Sequence, residues 1–149
     1  MDEGGAAPLP RGPEAGLTVF TEKEAAYLRS QKLARFATAA PDGQPDVVAV
    51  NFEFDGQVFH IGGLRQRKTV KYRNVLRNPR VALVVDDLES VDPWKPRGIR
   101  IYGRGEVVQR RGFLGPGDYI RLTPDAKWSW GIEGPVFRDG KFNVQRARR

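Results

Sequence analysis

Residues 34–63 read ARFATAAPDGQPDVVAVNFEFDGQVFHIGG, and the fold class is decided here. A strand is predicted from Leu33 to Ala39. Pro41-Asp42-Gly43-Gln44 then makes a turn, because Pro presets φ and Gly tolerates φ > 0. From Asp46 to Phe54 the residues alternate. Val48, Val50, Phe52 and Phe54 share one face, while Ala49, Asn51 and Glu53 take the other. Asp55-Gly56 is a hairpin turn, leading into a strand from Gln57 to Gly63. Antiparallel pairing is thus laid down locally, with no crossover helix.

Working outward, Thr21-Glu22-Lys23-Glu24 fits a capping box, so a helix is predicted to run from Thr21 to about Ser30. Residues 1–16 are rich in Gly, Pro and Ala and are expected to be a disordered arm. On the other side a helix is predicted from about Gln66 to Arg77, with Tyr72, Val75 and Leu76 on one face. Asn78-Pro79 stops it. Arg80 to Asp86 reads as a buried strand, and Asp86 to Gly98 as a long loop containing Pro93-Trp94-Lys95-Pro96. Ile99 to Arg110 is a strand, with Gly103 and Gly105 marking a bend or close backbone approach. A short helix is expected near Tyr119 to Leu122, then a last strand from about Ala126 to Glu133. Trp128 and Trp130 share a face of that strand and are expected in the core or at a dimer interface. The pattern is mainly β, or α+β, and barrel-like, with short flanking helices. One barrel domain over 17–134 is expected, followed by a basic tail over 135–149.

Composition narrows the chemistry. The chain has 149 residues, 40% hydrophobic and 29% charged, an ordinary globular mix. There is no cysteine, so disulfides and thiolate metal sites are excluded; a lone histidine, His60, excludes a histidine metal cluster and is read as structural. No apolar run approaches the roughly 20 residues that span a membrane, and Met1 to Gly16 lacks a signal-peptide core. A cytoplasmic location is the expectation. No nucleophile–base or carboxylate–histidine constellation appears, which argues against hydrolysis. The net charge of +7 favours an anionic partner.

The charge has a location. Arg65, Arg67, Lys68 and Lys71 lie at or beside a predicted helix start, just after Gly62-Gly63. No acidic residue occurs from Gly56 to Val85. A helix start exposes unpaired amides and a positive dipole end, which suits an anion; a solvated basic face is the alternative. Neither a Walker loop nor a dinucleotide fingerprint is present. The Arg-rich end, Gln145 to Arg149, would suit nucleic-acid phosphates, but no nucleic-acid recognition motif accompanies it, so nucleic acid is not the expected partner.

Three stretches carry a resemblance: residues 34–63 above, RKTVKYRNVLRNPRVALVVDD (67–87), and KYRNVLRNPRVALVVDDLESVDPW (71–94). From about Val19 to Gly131 the chain resembles the pyridoxamine-phosphate-oxidase-like family, whose fold is the split β-barrel. In particular it resembles the actinobacterial branch that uses the deazaflavin coenzyme F420. The resemblance implies a homodimer with two cofactor sites at the subunit interface. It places Gly63, Arg67, Lys68, Thr69 and Lys71 on the segment that holds the cofactor phosphate. Val48, Ala49, Val50 and Asn51 fall on the strand beneath the ring system, where small Ala49 would let a flat ring approach the backbone. Trp94 corresponds to a loop aromatic that reaches the partner's cofactor. The implied reaction is hydride transfer from reduced deazaflavin to an electron-poor double bond of a small molecule. Within the branch the chain looks like the subgroup acting on dehydrotetracycline-type polyketides in antibiotic biosynthesis. Arg97, Arg100 and Arg104 are candidates to stabilise charge on the acceptor; water is the expected proton donor, and no catalytic residue is assigned. Flavin mononucleotide (FMN) is the rival cofactor, and a flavin- or haem-binding carrier on the same fold is the non-catalytic alternative. Arg73, Arg77 and Arg80 extend the positive region further than one phosphate needs, which favours F420 and its carboxylate tail.

Overall fold

A computed structural model describes residues 18–149; the arm expected over 1–16 lies outside these. Helix α1 spans Glu22–Ser30 and begins with the expected capping box. The Thr21 side chain accepts from the Glu24 amide, and the Glu24 carboxylate accepts from the Thr21 amide. Strands β1 (Leu33–Ala39), β2 (Pro45–Asn51), β3 (Glu53–Phe54) and β4 (Phe59–Ile61) follow. Next come a 3-10 turn over Gln66–Lys68 and helix α2 over Val70–Arg77. Strands β5 (Arg80–Ser90), β6 (Lys95–Gly112) and β7 (Gly115–Trp130) are long; β8 (Phe137–Arg138), β9 (Lys141–Phe142) and β10 (Val144–Arg148) are short.

The main sheet is antiparallel, in the order β2-β1-β5-β6-β7-β4-β3, and β10 also pairs with β7. Its two outermost strands, β2 and β3, are separated in the chain by Phe52 alone. The sheet must therefore curl until its edges meet, which makes the barrel. Inside lie Phe36, Leu83, Val85, Ile99, Ile101, Ile120 and Leu122, essentially without exposure. They come from alternate positions of β1, β5, β6 and β7, as the pleat requires. This is the split β-barrel that the family resemblance implies.

Several local expectations are corrected. The strand predicted from Asp46 to Phe54 breaks at Phe52, where the chain turns the barrel corner. The helix predicted from Gln66 is two pieces: Thr69 is the N-cap of α2, its hydroxyl accepting from the Tyr72 amide. Lys71, Asn74 and Val75 form the buried face of α2, while Leu76 is exposed. The predicted long loop from Asp86 to Gly98 is a hairpin, because β5 runs on to Ser90 and β6 starts at Lys95. The helix expected at Tyr119 to Leu122 is strand, the middle of β7. Its Pro124 is tolerated at a register shift opposite Tyr102 and Gly103. Segment 135–149, set apart as a basic tail, contributes β10 to the main sheet. Among the described residues no helix is long and apolar enough to cross a membrane.

Candidate functional site

The start of α2 builds a small cradle. Strand β4 delivers Gly62-Gly63 to the turn over Gln66–Lys68, and α2 carries Lys71 back against the same point. A methyl group on Gly63 would sit 2.7 Å from Gln66 Oε1 and 3.1 Å from Lys71 Nζ, so only glycine fits without a shift. Gln66 is buried. Its Nε2 donates to the Ile61 carbonyl at 3.0 Å, and its Oε1 has no hydrogen-bond partner among the described residues. Lys71 is 8% exposed. Burial pushes its ammonium below the ordinary lysine value, opposed by the charge of Asp46. A half-desolvated cation beside an orphaned amide oxygen is unsatisfied chemistry. An anionic group carrying a hydroxyl would satisfy both, so the residues present fit a cofactor's phosphate and adjoining polyol.

The other residues assigned to this segment are placed differently. The Thr69 hydroxyl donates to the Gln66 carbonyl at 2.7 Å while capping α2, so it serves the helix. Arg67 is exposed and paired with Asp118 at 2.5 Å; Lys68 is exposed. Arg65, at φ 54°, is left-handed and lines with them a cavity of about 450 Å³ against β7. Sequence reasoning missed Gln66, which nothing distinguishes from a solvated helix residue. It also missed Asp118, which is remote in sequence and neutralises Arg67.

The outer face of the sheet offers a shelf. Ala49, Arg35, Val84, Arg100 and Trp128 lie in register across β2, β1, β5, β6 and β7. The next row is Val47, Ala37, Ala82, Tyr102 and Ala126. Its alanines leave a trough of about 590 Å³, edged by Arg80, Arg104 and Arg148. Ala49 and Asn51 are exposed on this face, whereas Val50 points into the core at 5% exposure, and Val48 shares its side of β2. Of the strand assigned to the ring, Ala49 and Asn51 are therefore the residues a ligand on the shelf would meet.

The candidate arginines are mostly engaged. Arg97 holds Asp87 with two hydrogen bonds, at 2.8 and 3.0 Å, and lies over the Tyr27 ring. Arg100 lies 4.4 Å from the Trp128 ring centroid and 5.3 Å from that of Tyr102. Trp128 and Trp130 are half-buried on the outer face; the core side of this strand takes Lys127 and Ser129 instead. Arg100 and Arg104 both stay exposed, Arg104 lying 3.7 Å from Asp125. His60 is buried, and desolvation lowers its pKa, as befits a structural residue. Trp94 sits at the β5–β6 hairpin tip, 56% exposed. Helix α2 enters at the opposite end of β5, about 30 Å away along the strand. One chain does not bring Trp94 to the Lys71 cradle.

A family model described as pyridoxamine 5'-phosphate oxidase matches residues 20–116. The chain belongs to the pyridoxamine 5'-phosphate oxidase family. The matched part contains the cradle, the Ala49 strand and Trp94, and it ends before most of β7. A curated relative is the 5a,11a-dehydrotetracycline/5a,11a-dehydrooxytetracycline reductase of Streptomyces rimosus. It is 38% identical over 124 residues, covering 78% of this chain and 87% of that protein. Among solved structures, a conserved hypothetical protein of Mycobacterium tuberculosis matches with TM-score 0.61 at 23% identity, covering 85% of this chain and 96% of that one. A structure named F420 reductase matches with TM-score 0.53 at 25% identity, covering 80% and 98%. The Mycobacterium tuberculosis structure shows the fold, and the two reductase-named proteins support an oxidoreductase on it.

Proposed function

We propose that the protein is a homodimeric F420-dependent reductase acting on a conjugated double bond of a flat, multi-ring acceptor, with dehydrotetracyclines as the substrate type. The observation that carries this reading is the cradle: Lys71, buried without an ion-pair partner among the described residues, beside the orphaned Gln66 oxygen. When bound, reduced F420 supplies the hydride, and a proton from water completes the reduction. Lys71 holds the phosphate, and Gln66 Oε1 accepts from a neighbouring hydroxyl. Ala49 keeps the outer face of β2 low enough for a flat ring to lie along it. The separation of Trp94 from the cradle fits a dimer in which Trp94 covers the partner's ring. Holding donor and acceptor carbons in near-attack contact can remove roughly 7–11 kcal/mol of barrier.

FMN would fill the cradle equally well with its single phosphate. The exposed arginines Arg73, Arg77, Arg80 and Arg104 favour the polycarboxylate tail of F420. The test is a fluorescence titration with each cofactor, followed by reduction of a dehydrotetracycline with reduced F420. The expected product is two mass units heavier than the substrate. Tight FMN binding without F420 binding overturns the cofactor. F420 binding without turnover of any enone, quinone or tetrapyrrole makes the protein a carrier.

A further inference from the structure

A third cavity, of about 450 Å³, lies between the β5–β6 hairpin tip and the segment after β7. Trp94, Ile132, Val136 and Phe137 supply apolar wall, and Glu89 and Lys95 add one charge of each sign. Phe137 and Trp94 leave about half of their surface open, at 49% and 56% exposure. The volume suits a drug-sized ligand, and mainly apolar lining with a few polar groups is the usual make-up of such sites.

The cavity is preformed. Gly131 takes φ +71°, and a methyl group there would lie 2.5 Å from the Pro96 carbonyl oxygen. The chain leaving β7 is thereby pressed against β6 beside Trp94. Phe137 is backed by Phe142 at a ring separation of 6.0 Å, and Phe142 by Trp130 at 6.1 Å. One wall, Trp94, belongs to the part of the chain matched by the family model; the other, residues 131–137, lies beyond residue 116 where that match ends.

We infer that this cavity is the acceptor site, and that Phe137 is a specificity-determining residue. The ligand is a flat, multi-ring compound with polar groups of both donor and acceptor character along its edge. Its rings stack on the exposed faces of Trp94 and Phe137, and its edge meets Glu89 and Lys95. The inference rests on the proposed reductase reading, because it is Trp94 at the partner's ring that puts the cavity beside the hydride donor. It adds that acceptor choice lies in the C-terminal segment, while cofactor binding lies in the family-matched part.

The test uses the full-length protein and tetracycline, a stable four-ring compound, with binding followed by calorimetry. Wild type should bind it without cofactor. Phe137→Ala should weaken that binding about tenfold, as expected for losing one stacked aromatic. Phe137→Tyr should stay within about twofold, and F420 affinity should not move in either variant. Lys71→Ala should do the converse, losing F420 and keeping tetracycline. Wild-type tetracycline affinity in Phe137→Ala, or equal losses of tetracycline and F420, would overturn the assignment. Tetracycline binding without F420 binding leaves the cavity standing and removes the reductase reading. F420 binding without tetracycline binding removes the cavity and keeps the reading.

Discussion

Lys71 is held at a cost to the ligand-free chain. Its charge is desolvated, no carboxylate lies within ion-pair distance among the described residues, and its pKa falls below 10.5. For a lysine with a depressed folded pKa, stability from that group is fully present only above the unfolded value. It is lost as pH falls through the folded value, so at neutral pH the charge works against folding. Lys71→Met should therefore raise the melting temperature of the cofactor-free protein, by roughly 2–4 °C if about 1 kcal/mol is recovered. Lys71→Ala should weaken cofactor binding about tenfold to a hundredfold, the worth of one charge-assisted hydrogen bond. Lys23→Ala, on the first turn of α1, should leave binding alone; equal affinities in the two variants would remove the cradle. Anion binding also needs Lys71 protonated. Cofactor affinity should fall as pH rises through its lowered pKa, earlier than an ordinary lysine would dictate. A dissociation constant that stays flat up to pH 10.5 would count against Lys71 as the phosphate ligand.

At the scale of elements, α1 is fastened to β7 through one carboxylate. Glu24, fully buried, accepts from Lys127 and from Ser129 while also closing the capping box. Glu24→Ala would leave the Lys127 ammonium buried and unpaired, a loss of about 3–5 kcal/mol. Urea unfolding measures it, and replacing Glu24 and Lys127 together with apolar residues should recover most of the loss. The capping box was legible from Thr21 and Glu24 alone, because it is local. The partnership with Lys127 was not, since the two residues meet only when the barrel closes. The same divide runs through the elements. Strand β1 and the turns at Pro41–Gln44 and Asp55-Gly56 were legible from alternation and turn chemistry. The β5–β6 hairpin was hidden because Glu89, Asp92 and two prolines read as loop, and strand pairing overrode their local preference. The first part of β7 was hidden by Gly115, Gly117 and Pro124 for the same reason, while its end, from Ala126 to Trp130, was legible as a strand. The basic face of the cradle was visible as charge, but Gln66, its uncharged half, carries no sequence signature.

At the scale of the molecule, Val47 on the outer face of β2 and Trp94 at the β5–β6 hairpin tip, at 67% and 56% exposure, are apolar surface that a second copy would cover. Light scattering at micromolar concentration should give twice the chain mass of 16.7 kDa; a mass of one chain would contradict the dimer. The closure of the barrel through Phe52 has a further consequence for the phase of the whole sheet. Ala49 and Val50 are neighbours in antiphase, one turned to the shelf and the other to the core. On the far side of Phe52, Phe54 packs on Phe20 and Phe59 at ring separations of 5.4 and 4.7 Å. A residue inserted at this joint must be absorbed by one edge or the other. If β3 yields, Phe54 rotates out of its aromatic nest. If β2 yields, Val50 is turned outward and Ala49 inward, since a one-residue slip exchanges the two faces of a strand. A single peptide unit at Phe52 thus keeps inside and outside in step: were β2 the edge to yield, Ala49 would leave the exposed face with its place in the sequence unchanged.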